Sequence, residues 1–160
     1  MQYLKLLQAL LNPIKHLMGV HKKNTIFIVD DDPDDRQLVL DAFLEHNSNI
    51  DYVFIEDGTQ LIQSLAEAEP ENYPSVILLD LNMPGMLGLH ALKIIRENKN
   101  YSHIPIIVLT TSTFGQDKNS AYKLGANCFF HKPHSYKELL EIAGAIIRLW
   151  FEPVVSTASV

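Results

Sequence analysis

Residues 29–35 read Val-Asp-Asp-Asp-Pro-Asp-Asp, with five aspartates in seven positions. They follow Thr25-Ile26-Phe27-Ile28, which together with Val29 has the length and β-branched character of a buried strand. The same stretch holds a helix start, with Asp32 as the cap and Pro33 in the first turn. It therefore reads strand, short loop, helix. Carboxylates crowded at the end of a buried strand repel one another and are poorly solvated. Something elsewhere in the chain must offset that repulsion.

Working outward, the pattern repeats. Short apolar runs recur at 52–55, 76–79, 106–109 and 128–130, separated by segments with helical spacing. Leu38, Val39, Ala42 and Phe43 mark the first such segment, and Leu61, Ile62 and Leu65 the second. Leu89, Leu92, Ile94 and Ile95 mark the third. The fourth, at 115–124, is polar and stops at Gly125. Leu139, Leu140, Ile142, Ala143, Ile146 and Ile147 mark the fifth. Runs that are apolar throughout suit parallel strands covered on both faces. Five strand–helix alternations predict an α/β three-layer sandwich: a doubly wound, flavodoxin-like sheet of five parallel strands in the order 2-1-3-4-5.

The 160 residues suit one domain, with 25–151 as its body, 1–24 as an N-terminal extension and 152–160 as a tail. A single cysteine, Cys128, excludes an internal disulfide framework and points to a reducing, cytoplasmic setting. Residues 1–24 carry Lys5, Lys15, Lys22 and Lys23 and no acid. The remainder holds nine basic against nineteen acidic side chains, a net of −10. An acidic body argues against nucleic acid as the partner. No apolar segment is long enough to span a membrane, and no signal peptide is evident.

In a sheet of this order, ligands gather at the carboxyl ends of the strands, near the switch between the first and third. There the first strand ends in Asp30-Asp31 and the third, at 75–79, in Asp80. The fourth runs into Thr110-Thr111-Ser112, and the fifth, at 127–130, into His131-Lys132-Pro133. Three carboxylates with oxygen-only neighbours suit a hard divalent cation, Mg²⁺ before others. The cation offsets the repulsion noted above. Asp80, between metal and lysine, has the chemistry of a carboxylate nucleophile toward phosphorus. Lys132 and the metal would stabilise charge on the transferring group, where most phosphoryl-transfer catalysis lies. Thr110 would donate a hydrogen bond to the attached phosphoryl.

In FIVDDD, VILLDLNMPG, PIIVLTTS and CFFHKP, each at the end of its strand, the chain resembles the receiver domains of two-component response regulators over about residues 25–150. That resemblance implies Asp80 as phosphoacceptor, Asp31 on the metal directly, and Asp30 largely through water. It implies the backbone carbonyl of Asn82 as a further metal ligand. Thr110 becomes the switch hydroxyl, Lys132 the phosphoryl-pairing lysine and Phe129 the switch aromatic. Asn82 and Ser112 tune the access of water, and Pro133 follows a cis peptide. The implied donor is a sensor histidine kinase or a histidine phosphotransfer domain. Asp32, Asp34 and Asp35 read as cap and solvated face. Three departures stand out: the third acid Asp32, His131 where the family is often apolar, and a switch aromatic without a hydroxyl.

Two rivals fail on single positions. A phosphohydrolase of the haloacid-dehalogenase type needs an acid two residues after the nucleophile, and Asn82 stands there. A flavodoxin needs a hydroxyl- and glycine-rich phosphate loop where this chain has DDDPDD. A degenerate receiver, acting by binding alone, is the third alternative. At the ends, Tyr3, Leu7, Leu10, Ile14 and Leu17 form a possible helical seam, for docking or for a membrane surface. They equally fit an over-long start, with Met18 as initiator. Ile146, Ile147, Leu149, Trp150 and Phe151 keep the last helix apolar to its end, as a partner surface would. That ending resembles the stand-alone receivers of the cyanobacterial phytochrome subgroup. It implies a homodimer through the strand-five and helix-five side. The few residues after the last helix are too short for an output domain, so output is expected by protein contact or onward phosphotransfer.

Overall fold

The structure, a computed structural model, describes residues 24–46 and 49–152. The expected seam from Tyr3 to Leu17 and the tail from residue 153 lie outside them. The elements run β1 (Thr25–Val29), α1 (Pro33–Leu44), β2 (Asp51–Ile55), α2 (Gly58–Glu67), β3 (Val76–Leu79), α3 (Gly88–Glu97), β4 (Ile106–Thr110), α4 (Gly115–Lys123), β5 (Cys128–His131) and α5 (Tyr136–Trp150). A single 3₁₀ turn, Pro70–Asn72, precedes β3. The sheet order is β2-β1-β3-β4-β5, all parallel, as the alternation predicts.

Alternate residues of the central strands face opposite layers. Phe27, Val29, Ile77, Leu79, Ile106 and Val108 pack toward α2, α3 and α4. Ile26, Ile28, Val76, Leu78, Ile107 and Leu109 pack toward α1 and α5. β3 and β4 are buried at every position, which is why their runs show no alternation.

The edges depart from the expectation of uniform burial. Val53 and Phe54 of β2 are each 40% exposed, because an edge strand lacks one flanking layer of neighbours. Leu38 is 45% exposed, since it falls off the α1 stripe of Val39, Ala42 and Phe43. Cys128 is half-buried on the other edge strand. The apolar end of α5 turns mostly inward. Ile146 and Ile147 are core, Trp150 and Phe151 pack partly against it, and Leu149 alone of the five is largely exposed. Among the described residues, no helix is long and apolar enough to cross a membrane.

Strand β4 begins at Ile106 with its apolar run and extends one residue past it, to Thr110. Pro105 has no N–H, yet its carbonyl accepts from Ile77 N (2.9 Å), while Ile106 N donates to Asn127 Oδ1 (2.8 Å). Strand β5 likewise runs one residue further, with His131 in register with Thr110.

Candidate functional site

The parallel ladder continues one residue past β1, β3 and β5, and this places the site. Asp30 N donates to Ile55 O (3.0 Å), Asp80 N to Val29 O (2.9 Å) and Lys132 N to Thr110 O (2.8 Å). Backbone pairing thus sets Asp80 beside Asp30 and Lys132 beside Thr110. One oxygen from each of Asp30, Asp31 and Asp80 lies within 4.8 Å of the others.

The same local device then fixes three side chains. Asp30 Oδ1 accepts from Asp32 N (3.0 Å), Asp80 Oδ1 from Asn82 N (3.1 Å) and Thr110 Oγ1 from Ser112 N (3.2 Å). Each is a side-chain oxygen bonded to the backbone two residues on, the bond of an Asx or Ser/Thr turn. For both aspartates it occupies Oδ1 and turns Oδ2 inward. For Thr110, which is fully buried, it uses a lone pair and leaves the hydroxyl proton to donate. Asp32 caps α1 as predicted, accepting from Asp34 N (2.8 Å) and Asp35 N (3.4 Å).

Lys132 Nζ closes the site. It lies 2.6 Å from Asp30 Oδ2, 2.6 Å from Asp35 Oδ2 and 3.3 Å from Asp80 Oδ2. Burial alone would lower its pKa. Hydrogen bonds to Asp30 and Asp35, with the charges of Asp80 and Asp30, overcome that and raise it above the usual lysine range. Asp30 is raised too, which an ion pair alone would not do. Its burial is the largest influence and outweighs the opposing pull of Lys132. The cost that Asp30 carries is therefore mainly that of burial, with the charge of Asp80 the smallest contribution.

The remaining predicted residues divide. Asn82 is exposed, and its side-chain Nδ2 donates to Thr111 Oγ1 (3.2 Å) across the mouth of the site. Ser112 is buried and committed to the α4 entry, where its hydroxyl donates to Asp117 and accepts from Phe114 N (3.3 Å). Phe129 is buried with its ring edge-on to His131 at 5.3 Å. The Lys132–Pro133 peptide is trans, not cis, and the described residues hold no cis peptide bond. Trans is the lower-energy isomer of an X–Pro bond by about 0.5–1 kcal/mol, and Lys132 reaches the carboxylates from it.

Three contributors escaped the sequence reading. Asp35, read there as solvated face, binds Lys132. Arg36 is buried, and its Nη1 donates to the Asp30 carbonyl (2.5 Å). Its guanidinium lies 5.7 Å from the Phe54 ring and its Nη2 is 3.6 Å from Glu56. It braces the β1–α1 turn from behind. Gly88, opening α3, lies hard against the phosphoacceptor candidate's backbone: a Cβ there would meet Asp80 O at 2.3 Å. The glycine following NMPG at 82–85 carried that signal.

The donor set fits a hard cation. Three carboxylates converge, two of them buried, while Asp31 is exposed and leaves room for water.

The comparisons agree with this geometry. The response regulator receiver domain family matches residues 26–143. Response regulator Rcp1 of Synechocystis sp. is 31% identical over 137 residues, covering 84% of this chain and 93% of that relative. The phosphorylated cyanobacterial phytochrome response regulator RcpA superposes with a TM-score of 0.73 at 29% identity, covering 85% of this chain and 96% of RcpA. The Mn²⁺-bound form of Rcp1 also scores 0.73, at 30% identity over 82% of this chain and 96% of its own. With the acidic cluster, the strand-end lysine and the 2-1-3-4-5 sheet all in place, the chain belongs to the response regulator receiver family.

Proposed function

We propose that the protein takes a phosphoryl group on Asp80 from a sensor histidine kinase or a histidine phosphotransfer domain, in a Mg²⁺-dependent reaction, and signals by changing a protein-binding surface. One observation carries this reading. Asp80 is a buried carboxylate with a lysine 3.3 Å away and two further carboxylates converging on it.

An Asp80 oxygen attacks phosphorus, the P–N bond of the donor phosphohistidine breaks, and the electron pair stays on the imidazole nitrogen, which takes up a proton. Lys132 meets the charge spread over the phosphoryl oxygens, and Thr110 supplies a hydroxyl donor from β4. A bound Mg²⁺, held by Asp30, Asp31, Asp80 and the Asn82 carbonyl, supplies charge neutralisation on the transferring group. Hydrolysis returns the carboxylate and inorganic phosphate, so the chain is a stoichiometric acceptor and not an enzyme acting on a separate substrate. The likeness to RcpA, a cyanobacterial phytochrome response regulator, makes a phytochrome-type kinase the first donor to try.

The loaded state biases a two-state element, in which Thr110 moves toward the phosphoryl and Phe129 repacks. The affected surface is the α4–β5–α5 side. A shallow groove there, lined by Phe130, His131, Lys132, Pro133, Ile142 and Ala145 among others, lies on the strand-five and helix-five side through which a second copy would pair. A cytoplasmic setting follows from a histidine-kinase donor.

Intact-mass analysis after incubation with acetyl phosphate tests the reading. One added phosphoryl is expected with Mg²⁺, and none without it or in Asp80→Asn. Sizing chromatography of the product reads dimerisation. Neither adduct nor acetyl phosphate turnover would leave a binding module that needs no phosphorylation.

A further inference from the structure

The lysine of this site is over-committed. An ammonium has three N–H donors, and Lys132 faces three carboxylate oxygens, with the contacts to Asp30 and Asp35 shorter than that to Asp80. A phosphoryl group arriving on Asp80 can inherit the long contact, but the two short ones hold the ammonium away from it. One of those two must give way for the ammonium to close on the phosphoryl.

Burial decides which. The Asp30 and Asp80 side chains are 6% and 5% exposed, whereas that of Asp35 is 38% exposed. Releasing Asp30 would take one counter-charge from a carboxylate that water does not reach and leave it to the cation alone, which is unfavourable. Releasing Asp35 returns a carboxylate to water at little cost. Asp35 also differs in origin: it rides on the first turn of α1, outside the metal-binding cluster of Asp30, Asp31 and Asp80.

We propose that Asp35 is a latch on Lys132: it holds the ammonium in the unloaded protein and gives it up to the phosphoryl group on Asp80. The inference rests on the phosphoacceptor reading of Asp80. Asp35 is a positioning residue, acting through Lys132 without touching the reacting atoms. Its charge opposes loading, because each phosphoryl must displace it. Its release also carries the occupancy of Asp80 to the first turn of α1.

The test uses trifluoroberyllate, an analogue of the phosphoryl group, titrated into the full chain at saturating Mg²⁺ and followed calorimetrically. Asp35→Asn binds it more tightly than wild type by about three- to tenfold, the range for a partly buried ion pair. Asp35→Ser gives the same sign, and Mg²⁺ alone binds wild type and both variants alike. In a Lys132→Met background the gain disappears, either as equal affinities or as loss of binding to both proteins. Wild type that takes no trifluoroberyllate overturns the phosphoacceptor reading, and the latch with it. Wild type that binds while Asp35→Asn binds no tighter overturns the latch alone. So does a gain that survives in Lys132→Met, which would mean simple repulsion between Asp35 and the anion.

Discussion

At the amino end of the sheet, Arg96 binds four neutral acceptors. Its Nε donates to Gly125 O (2.9 Å), Nη1 to Ser102 O (3.0 Å) and Ile104 O (2.9 Å), and Nη2 to Asn127 Oδ1 (3.0 Å). At the carboxyl end, Lys132 binds three carboxylates. Each cation gathers loops from distant parts of the chain, and their chemistry separates their roles. A guanidinium is a planar fork, locked by the geometry of its acceptors. Burial lowers the pKa of Arg96, and its partners are uncharged, so no incoming ion improves on them. An ammonium is a point charge on a flexible stem. Its anionic partners can be exchanged for another anion or shared with a cation. The amino end is therefore built to stay, and the carboxyl end to be rearranged by charge.

Substitutions can break that contrast. The largest effect on stability belongs to Arg96→Ala, about 2–4 kcal/mol by urea unfolding for the loss of several hydrogen bonds to one charged group. Mg²⁺ should restore none of it. Arg96→Lys should recover only a minor share, because an ammonium cannot reproduce the fork. Full recovery with lysine would mean that charge alone holds the amino end.

Lys132→Met comes next, with an expected loss of about 1–3 kcal/mol in Mg²⁺-free buffer as the carboxylates lose their counter-charge. Here saturating Mg²⁺ should restore more than it adds to wild type, since the cation takes over the neutralisation. Equal Mg²⁺ increments in the two proteins would show that lysine and metal act on separate charges.

The smallest effect is a change of slope. Burial holds the folded-state pKa of Asp30 above its unfolded value, so the folded protein binds that proton more tightly. The stability this group contributes is fully present below the unfolded pKa and is lost as pH rises through the folded one. Asp30→Asn should therefore flatten the decline in Mg²⁺-free stability from acid toward neutral pH. Denaturation midpoints at several pH values read it, and parallel profiles for the two proteins would refute it. Arg96→Ala should leave that slope alone.

The two ends also differ in how much of them could be read in advance. The carboxyl end announced itself because each strand ran directly into its functional residue. Asp30, Asp80 and Thr110 follow apolar runs, and ladder hydrogen bonds carry the register past the strand ends. Nothing comparable marked Arg96. It sits in the last turn of α3, where a basic residue is ordinary helix chemistry. Three of its acceptors are backbone oxygens that any residue could supply at those places, and the fourth is the side-chain amide of Asn127, an ordinary loop residue by sequence. Leu38 was misread for a related reason: a helical stripe has edges, and composition does not say where the neighbouring layer stops.

Asp35 shows where the boundary lies. Strand order, the convergence of Asp30, Asp31, Asp80 and Lys132, and the family itself follow from periodicity and strand-end identity, because local patterns propagate through a regular parallel sheet. That Asp35 turns back to meet a lysine 97 positions away depends on how α1 packs against β1 and α5 and on which carboxylates remain reachable after the backbone turns have taken their share. Those are properties of packing, and no window of sequence contains them.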